Sequence, residues 1–279
     1  GKVPAMETPH QGTALFHLPG LFEFYDLYAA FLPLYRAHRE YFYDWCAIGS
    51  IYGAPSDCLW AGGRVEYSDR TPREVLALTR EYGISARLTL SNSLLRPEHL
   101  TDPDCNALCR LFQEQNDPQN GAIVHAELLT QYLKKNYPSL YLVSSTTKVL
   151  TDFNDLQREL ARPEFRYVVP DFRLNRAFDK LAALPQSQKD KVEFLCNECC
   201  WFGCTERRAC YEAVSRKNLG LPGPEHYCSA PGAAGWVSLL PGDGEPRLYR
   251  HQGHPGYLSA EGLHPIQDRG ARPWQCADP

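Results

Sequence analysis

Residues 122–147 read AIVHAELLTQYLKKNYPSLYLVSSTT. The first three are apolar and β-branched or small, which predicts a short buried strand ending at His125. A helix follows to about Asn136. A second apolar run, Leu140 to Val143, then stops at Ser144-Ser145-Thr146-Thr147. A strand, a helix of about three turns and another wholly apolar strand make one βαβ unit. Strands buried on both faces belong to parallel sheets covered by crossover helices.

The same rhythm runs outward in both directions. Strands are predicted to start at Leu15, Trp45, Ala86, Ala122, Leu140, Tyr167 and Val192. Between them, Thr71-Pro72 with Glu74 reads as a capping box opening a helix that Gly83 stops. The aromatic run from Leu21 to Tyr43, interrupted by Pro33, predicts two helices or one kinked helix whose stripe packs into a core. No dinucleotide-binding glycine pattern marks an open doubly wound sheet. The predicted fold is therefore a (β/α)8-type barrel, possibly incomplete, over residues 1–219. Residues 220–279 are rich in Gly and Pro (GLPGPEHYC, LLPGDGEPR, HQGHPGY), with only Gly235 to Leu240 and Leu258 to Leu263 reading as ordered. They predict an irregular C-terminal extension packed on the barrel.

Composition narrows the function class. A net charge of −4 over 279 residues carries no strong nucleic-acid footprint. No apolar run is long enough to cross a membrane. Eleven cysteines without a secretory leader predict reduced thiols in a cytoplasmic protein. Five of them crowd into Lys191 to Cys210, where a strand over Val192 to Cys196 is predicted to enter a cysteine-bearing loop and then a helix capped at Thr205. Such a loop holds a soft metal or cluster through at least Cys200 and Cys204, or its cysteines are ordinary core thiols; both readings stand at this level. Cys105 and Cys109, four apart on one predicted helix, read as packing thiols.

In a parallel barrel the chemistry gathers at the C-terminal strand ends. Those ends offer Ser50, Asn92, His125, Ser144, Thr146, Asp171, Asn197 and Glu198. Glu198, Asp171, His125 and Asn92 are the candidates for acid–base or catalytic roles, and Ser50, Ser144, Thr146 and Asn197 for holding substrate. The long loop after the second strand adds Arg64 to the substrate-holding set. Strand ends are also polar simply because loops begin there, and a histidine in such a place is as readily a hydrogen-bonded core residue. No nucleophile-elbow motif is present.

The stretch from Ala122 to Thr147, together with Val192 to Cys204, resembles units of peptidase family U32, the collagenase-like proteins. The chain is also similar to uncharacterised proteins of anaerobic bacteria that carry LPGLFEFYDLY- and IGSIYGAP-like segments. The family's glycine-serine-cysteine signature is replaced here by Asn197-Glu198-Cys199-Cys200. The resemblance implies a barrel and a 4Fe–4S cluster on Cys200, Cys204 and Cys228, with Cys58 as fourth ligand; zinc, or no metal, is the alternative. It implies redox chemistry or oxygen-independent hydroxylation of a small molecule or modified polymer. The alternatives are a peptidase-like or other metal-dependent hydrolase or lyase, and a binding protein without catalysis.

Overall fold

The computed structural model describes residues 12–63, 67–198 and 200–228. Six parallel strands form one sheet: β1 (Ala14–Pro19), β2 (Cys46–Gly53), β3 (Ser85–Leu90), β4 (Gly121–Val124), β5 (Tyr141–Ser144) and β6 (Phe165–Val168), paired in that order. The sheet curls into a half-barrel. Helices α1 (Tyr25–Ala37), α2 (Pro72–Glu81), α3 (Pro103–Glu114), α4 (Glu127–Asn136) and α5 (Phe153–Leu160) connect successive strands. After β6 come two short helices, α6 (Phe178–Ala182) and α7 (Gln186–Lys189), and then α8 (Arg207–Asn218). No helix among the described residues is long and apolar enough to span a membrane.

Local chemistry explains the boundaries. Thr71 and Glu74 exchange side-chain bonds with each other's backbone N–H groups at the start of α2, with Pro72 at its first position. Gly83 then takes φ +63°, a left-handed turn open to glycine at no steric cost. Asp102 and Asp152 cap α3 and α5 through Cys105 N and through Asn154 N and Asp155 N.

Register decides which face each side chain takes. Arg87 lies opposite Gly121, Thr89 opposite Ile123, and Gly121 opposite Tyr141. These positions share one face, and the intervening residues Ala86, Leu88, Leu90, Ala122, Val124 and Leu142 share the other. The second set packs with Val75, Leu108, Phe112, Leu129, Leu133 and Leu156 of the helices into the main core. Each such fully buried aliphatic or aromatic side chain contributes ~1.5–3 kcal/mol. The concave face carries a smaller cluster of Ile123, Tyr141, Val143 and Val169.

The structure departs from the sequence reading in three places. The seventh strand reduces to one bridge, Val168 to Val192, because Glu193 and the following residues turn into the concave face. Where the strand–helix rhythm predicts one helix between the strands starting at Tyr167 and Val192, the chain makes a 3-10 turn (Phe172–Arg176) followed by α6 and α7. In α1 the buried residues are Tyr28, Leu32 and Tyr35, while Phe24 and Leu27 face outward. The extension from residue 229 onward, including both stretches expected to be ordered, lies outside the described residues, and so does Arg64.

Candidate functional site

Two polar centres occupy the half-barrel. The first lies at the C-terminal strand ends. Asp171, just past β6, is fully buried, and so is Arg207 at the start of α8. Arg207 Nε stands 3.0 Å from Asp171 Oδ2, and its NH1 stands 2.8 Å from Glu198 Oε2. The pairing is ionic: the N–H directions miss hydrogen-bond alignment with these oxygens. Asp171 also accepts from Arg173, whose Nε is 2.6 Å from Oδ1 and whose NH2 is 3.1 Å from Oδ2. The remaining arm of Arg173 donates to the Cys204 carbonyl at 2.5 Å, and Glu198 Oε1 accepts from Cys200 N at 3.1 Å. Two carboxylates and two guanidiniums thus neutralise one another in a nearly dry place. That is the condition under which buried charges are tolerated. Thr146 Oγ1 stands 3.5 Å from Arg207 NH2, and the Phe172 ring lies beneath the guanidinium.

α8 lies across these strand ends on polar anchors. Asn92 Nδ2 donates to Ala61 O at 3.2 Å and to Ser215 O at 3.1 Å. Asn218 Nδ2 donates to Ala61 O at 2.6 Å, Ser93 N donates to Ser215 Oγ, and Arg208 NH2 donates to Lys148 O at 3.2 Å. A cleft of about 600 Å³ opens beside the first centre, walled by Val149, Leu174 and Phe202 and edged by Arg173, Thr205 and Arg208.

The second centre lies on the concave face. Arg87 donates from NH1 to both oxygens of Glu193, at 2.9 and 2.8 Å, and from Nε to Tyr141 Oη at 2.8 Å. His17 Nδ1 is 2.7 Å from Ser50 Oγ, and its Nε2 is 3.5 Å from Glu193 Oε2. Burial outweighs the Glu193 charge and pushes His17 down to about 4, so the ring is neutral at pH 7. Ser50, His17 and Glu193 therefore form a serine–histidine–carboxylate chain. Ser50 is completely enclosed, however, and Arg87 neutralises Glu193, so the chain holds the barrel interior together. Tyr52 joins the two centres. Burial first, and then the charges of Glu193 and Glu198, push its phenol up to about 12.

Each expected site residue can now be placed. Asp171, Glu198 and Thr146 meet around Arg207. Asn92 is enclosed and serves as an anchor for α8, away from any open cavity. Ser144 faces the helix layer, where its hydroxyl donates to Glu159 Oε1 at 2.7 Å beside Lys148, because its register partner Val168 also points into the main core. It does not share a cavity with Asp171. His125 Nδ1 pairs with Thr147 Oγ1 at 2.8 Å, and burial, then Lys148 and Arg208, bring it down to about 4. Ser50 belongs to the interior chain. Asn197 is exposed.

The four cysteines implied as cluster ligands do not converge. Cys58 is buried in the main core, with its sulfur 3.7 Å from that of Cys105 on α3. Its loop packs the thiol inward, against helices rather than over the strand ends. Cys200 and Cys204 are half-buried beside the first centre, and Cys228 is exposed. Among the described residues no three Cys, His, Asp or Glu side chains are grouped to hold a metal ion. A cluster on Cys58, Cys200, Cys204 and Cys228 does not fit this arrangement.

Sequence reading missed Arg207, His17, Arg87 and Glu193. The strict alternation of polar and apolar residues in Ser85-Ala-Arg-Leu-Thr-Leu90 is the signal that finds Arg87.

A parallel α/β half-barrel with a charged centre at its strand ends is the class these features define. The solved structure of the U32 peptidase Mk0906 shares this fold, with a TM-score of 0.50 over 84% of this chain and 88% of that one, at 14% identity. That is a distant likeness, and it supports the U32-like resemblance at the level of fold. No family model matches the sequence. No curated protein sequence matches it.

Proposed function

We propose that the chain is a hydrolase of the U32-peptidase-like fold, working at its strand-end mouth with Glu198 as acid–base residue. The observation that carries this reading is the Asp171–Arg207–Glu198 centre beside an open cleft. Asp171 and Arg207 are enclosed, whereas the Glu198 side chain keeps 13% of its surface in contact with solvent. The guanidinium holds Oε2 and the Cys200 N–H orients Oε1, and a carboxylate positioned in this way takes a proton from water through a remaining lone pair. Water then adds to an acyl carbon, the carbon–nitrogen bond breaks, and the proton passes from Glu198 to the departing amine.

Because the fold neighbour is a peptidase, peptides are the first substrates to try. A mixed peptide library incubated with the protein and read by mass spectrometry tests the reading. Glu198→Gln is expected to lower kcat by about 10²-fold or more with little change in KM. Undiminished turnover in that variant, or an uncut library, rejects the proposal.

A second reading keeps an iron–sulfur redox or hydroxylating enzyme, because Cys200 and Cys204 sit beside the same mouth. Iron and zinc content of anaerobically purified protein decides it, with Cys204→Ser as the control. No step of the mechanism above passes through a metal.

A further inference from the structure

We infer that the strand-end cleft is a binding site for a monocarboxylate with an aromatic or branched apolar body, with Arg208 as its specificity-determining residue. The inference deepens the hydrolase reading: the ligand form it favours is the free C-terminal residue of a peptide.

Charge accounting singles out Arg208. Arg173 spends Nε and NH2 on Asp171 and NH1 on the Cys204 carbonyl. Arg207 is enclosed between Asp171 and Glu198. Lys148 is paired with Glu159 at 2.5 Å. Of the two cations that line the cleft, Arg173 and Arg208, Arg208 has no described carboxylate within ion-pair distance; Arg176, which has none either, lies over the Phe202 ring outside the lining. Arg208 commits only NH2, to the Lys148 carbonyl at 3.2 Å. His125, close enough to feel its charge, is neutral at pH 7 and offers no compensation.

An exposed arginine on an ordinary surface is simply hydrated. This one differs in two respects. Its guanidinium is tethered through NH2 to the Lys148 carbonyl, which reduces the ordering cost of binding. It also edges a concavity walled by Val149, Leu174 and Phe202. Phe202 is held edge-on by Phe172 at 5.9 Å yet leaves half its surface exposed. A volume of about 600 Å³ with apolar walls and one uncompensated cation suits a ligand of matching form. One guanidinium fork fits the two oxygens of a planar carboxylate.

The test measures binding without turnover, by isothermal titration of the full chain with N-acetylphenylalanine, its amide and phenyl phosphate. The acid is expected to bind saturably, with the amide about tenfold weaker or more, the scale of a lost charge-assisted hydrogen bond. Arg208→Ala should weaken the acid by a similar factor and leave the amide unchanged. Phe202→Ala should weaken acid and amide alike, which separates wall from charge. Equal binding of acid and amide, no loss in Arg208→Ala, tighter binding of phenyl phosphate, or no saturable binding each overturns the inference. Retained binding of the acid with no peptide cleavage rejects the hydrolase reading alone. A short peptide ending in free phenylalanine, compared with the lone amino-acid derivative, distinguishes a peptide terminus from a small metabolite.

Discussion

Arg87→Leu tests the claim that the concave face is held by charge. The wild-type guanidinium is almost wholly enclosed, makes a two-oxygen contact with Glu193 and bonds the Tyr141 hydroxyl. Leucine removes all three contacts and leaves the Glu193 carboxylate with only the neutral His17 ring at 3.5 Å. Breaking a buried pair from one side costs about 3–5 kcal/mol. Glu193 keeps 15% of its side chain in contact with solvent, so the lower end applies, about 3 kcal/mol. For a domain of this size that lowers Tm by about 6–12 °C. Urea unfolding followed by circular dichroism measures it. Arg87 also helps hold His17 down, so the His17 ring should titrate above about 4 in the variant, visible by NMR. The double variant Arg87→Leu/Glu193→Leu should recover much of the loss, because it leaves no orphaned charge. A single-variant loss below about 1 kcal/mol, well under the range for a buried pair, refutes the reasoning. So does a double variant as costly as the two singles summed.

Two further outcomes follow from the same structure. His17 and His125 titrate near 6.5 in the unfolded chain and at about 4 when folded, so the unfolded state binds more protons between those values. Stability is therefore full above 6.5 and lost as pH falls toward about 4, by up to about 3 kcal/mol per ring; a urea midpoint that stays flat across that window, or is unaffected by His17→Gln, contradicts it. Gly62→Ala places a methyl 2.4 Å from the Ser91 carbonyl oxygen, where only backbone can yield. The expected cost is about 1–3 kcal/mol, with loosened protection of the α8 amides in hydrogen exchange; unchanged stability refutes the close packing of that loop.

The parallel sheet was legible because its signals are local. Alternation of short apolar strands with capped helices depends on neighbours in sequence, as at Thr71 and Glu74 or in Ala122 to Ser144. Asp171 followed from strand-end logic once the strands were parallel, whereas Glu198 reaches the same arginine, Arg207, although the strand expected to carry it forms only the Val168–Val192 bridge. Arg207 was hidden because its role depends on how α8 returns over the sheet, a tertiary fact with no periodic trace. Arg87 left a trace in the alternation of its strand, but its role did not: a charge matched across 106 residues shows only when both ends are in place, and His17 and Glu193 were hidden with it. Cys58 was misplaced because a cysteine in a long loop reads as available, whereas this loop folds its thiol into the helix layer.

The strand order also governs how the chain assembles. Every strand from β1 to β6 pairs with the strand next to it along the polypeptide. No pairing waits for a segment beyond the next βα unit, so each closure joins the ends of one such unit. The sheet can grow by accretion, one unit on the last, as in a linear repeat array. Contacts of long sequence separation are left to side chains, chiefly Glu193 with Arg87 and α8 with the β2 and β3 loops. Those contacts close the longest loops of the chain, so their formation carries the largest loop-closure entropy.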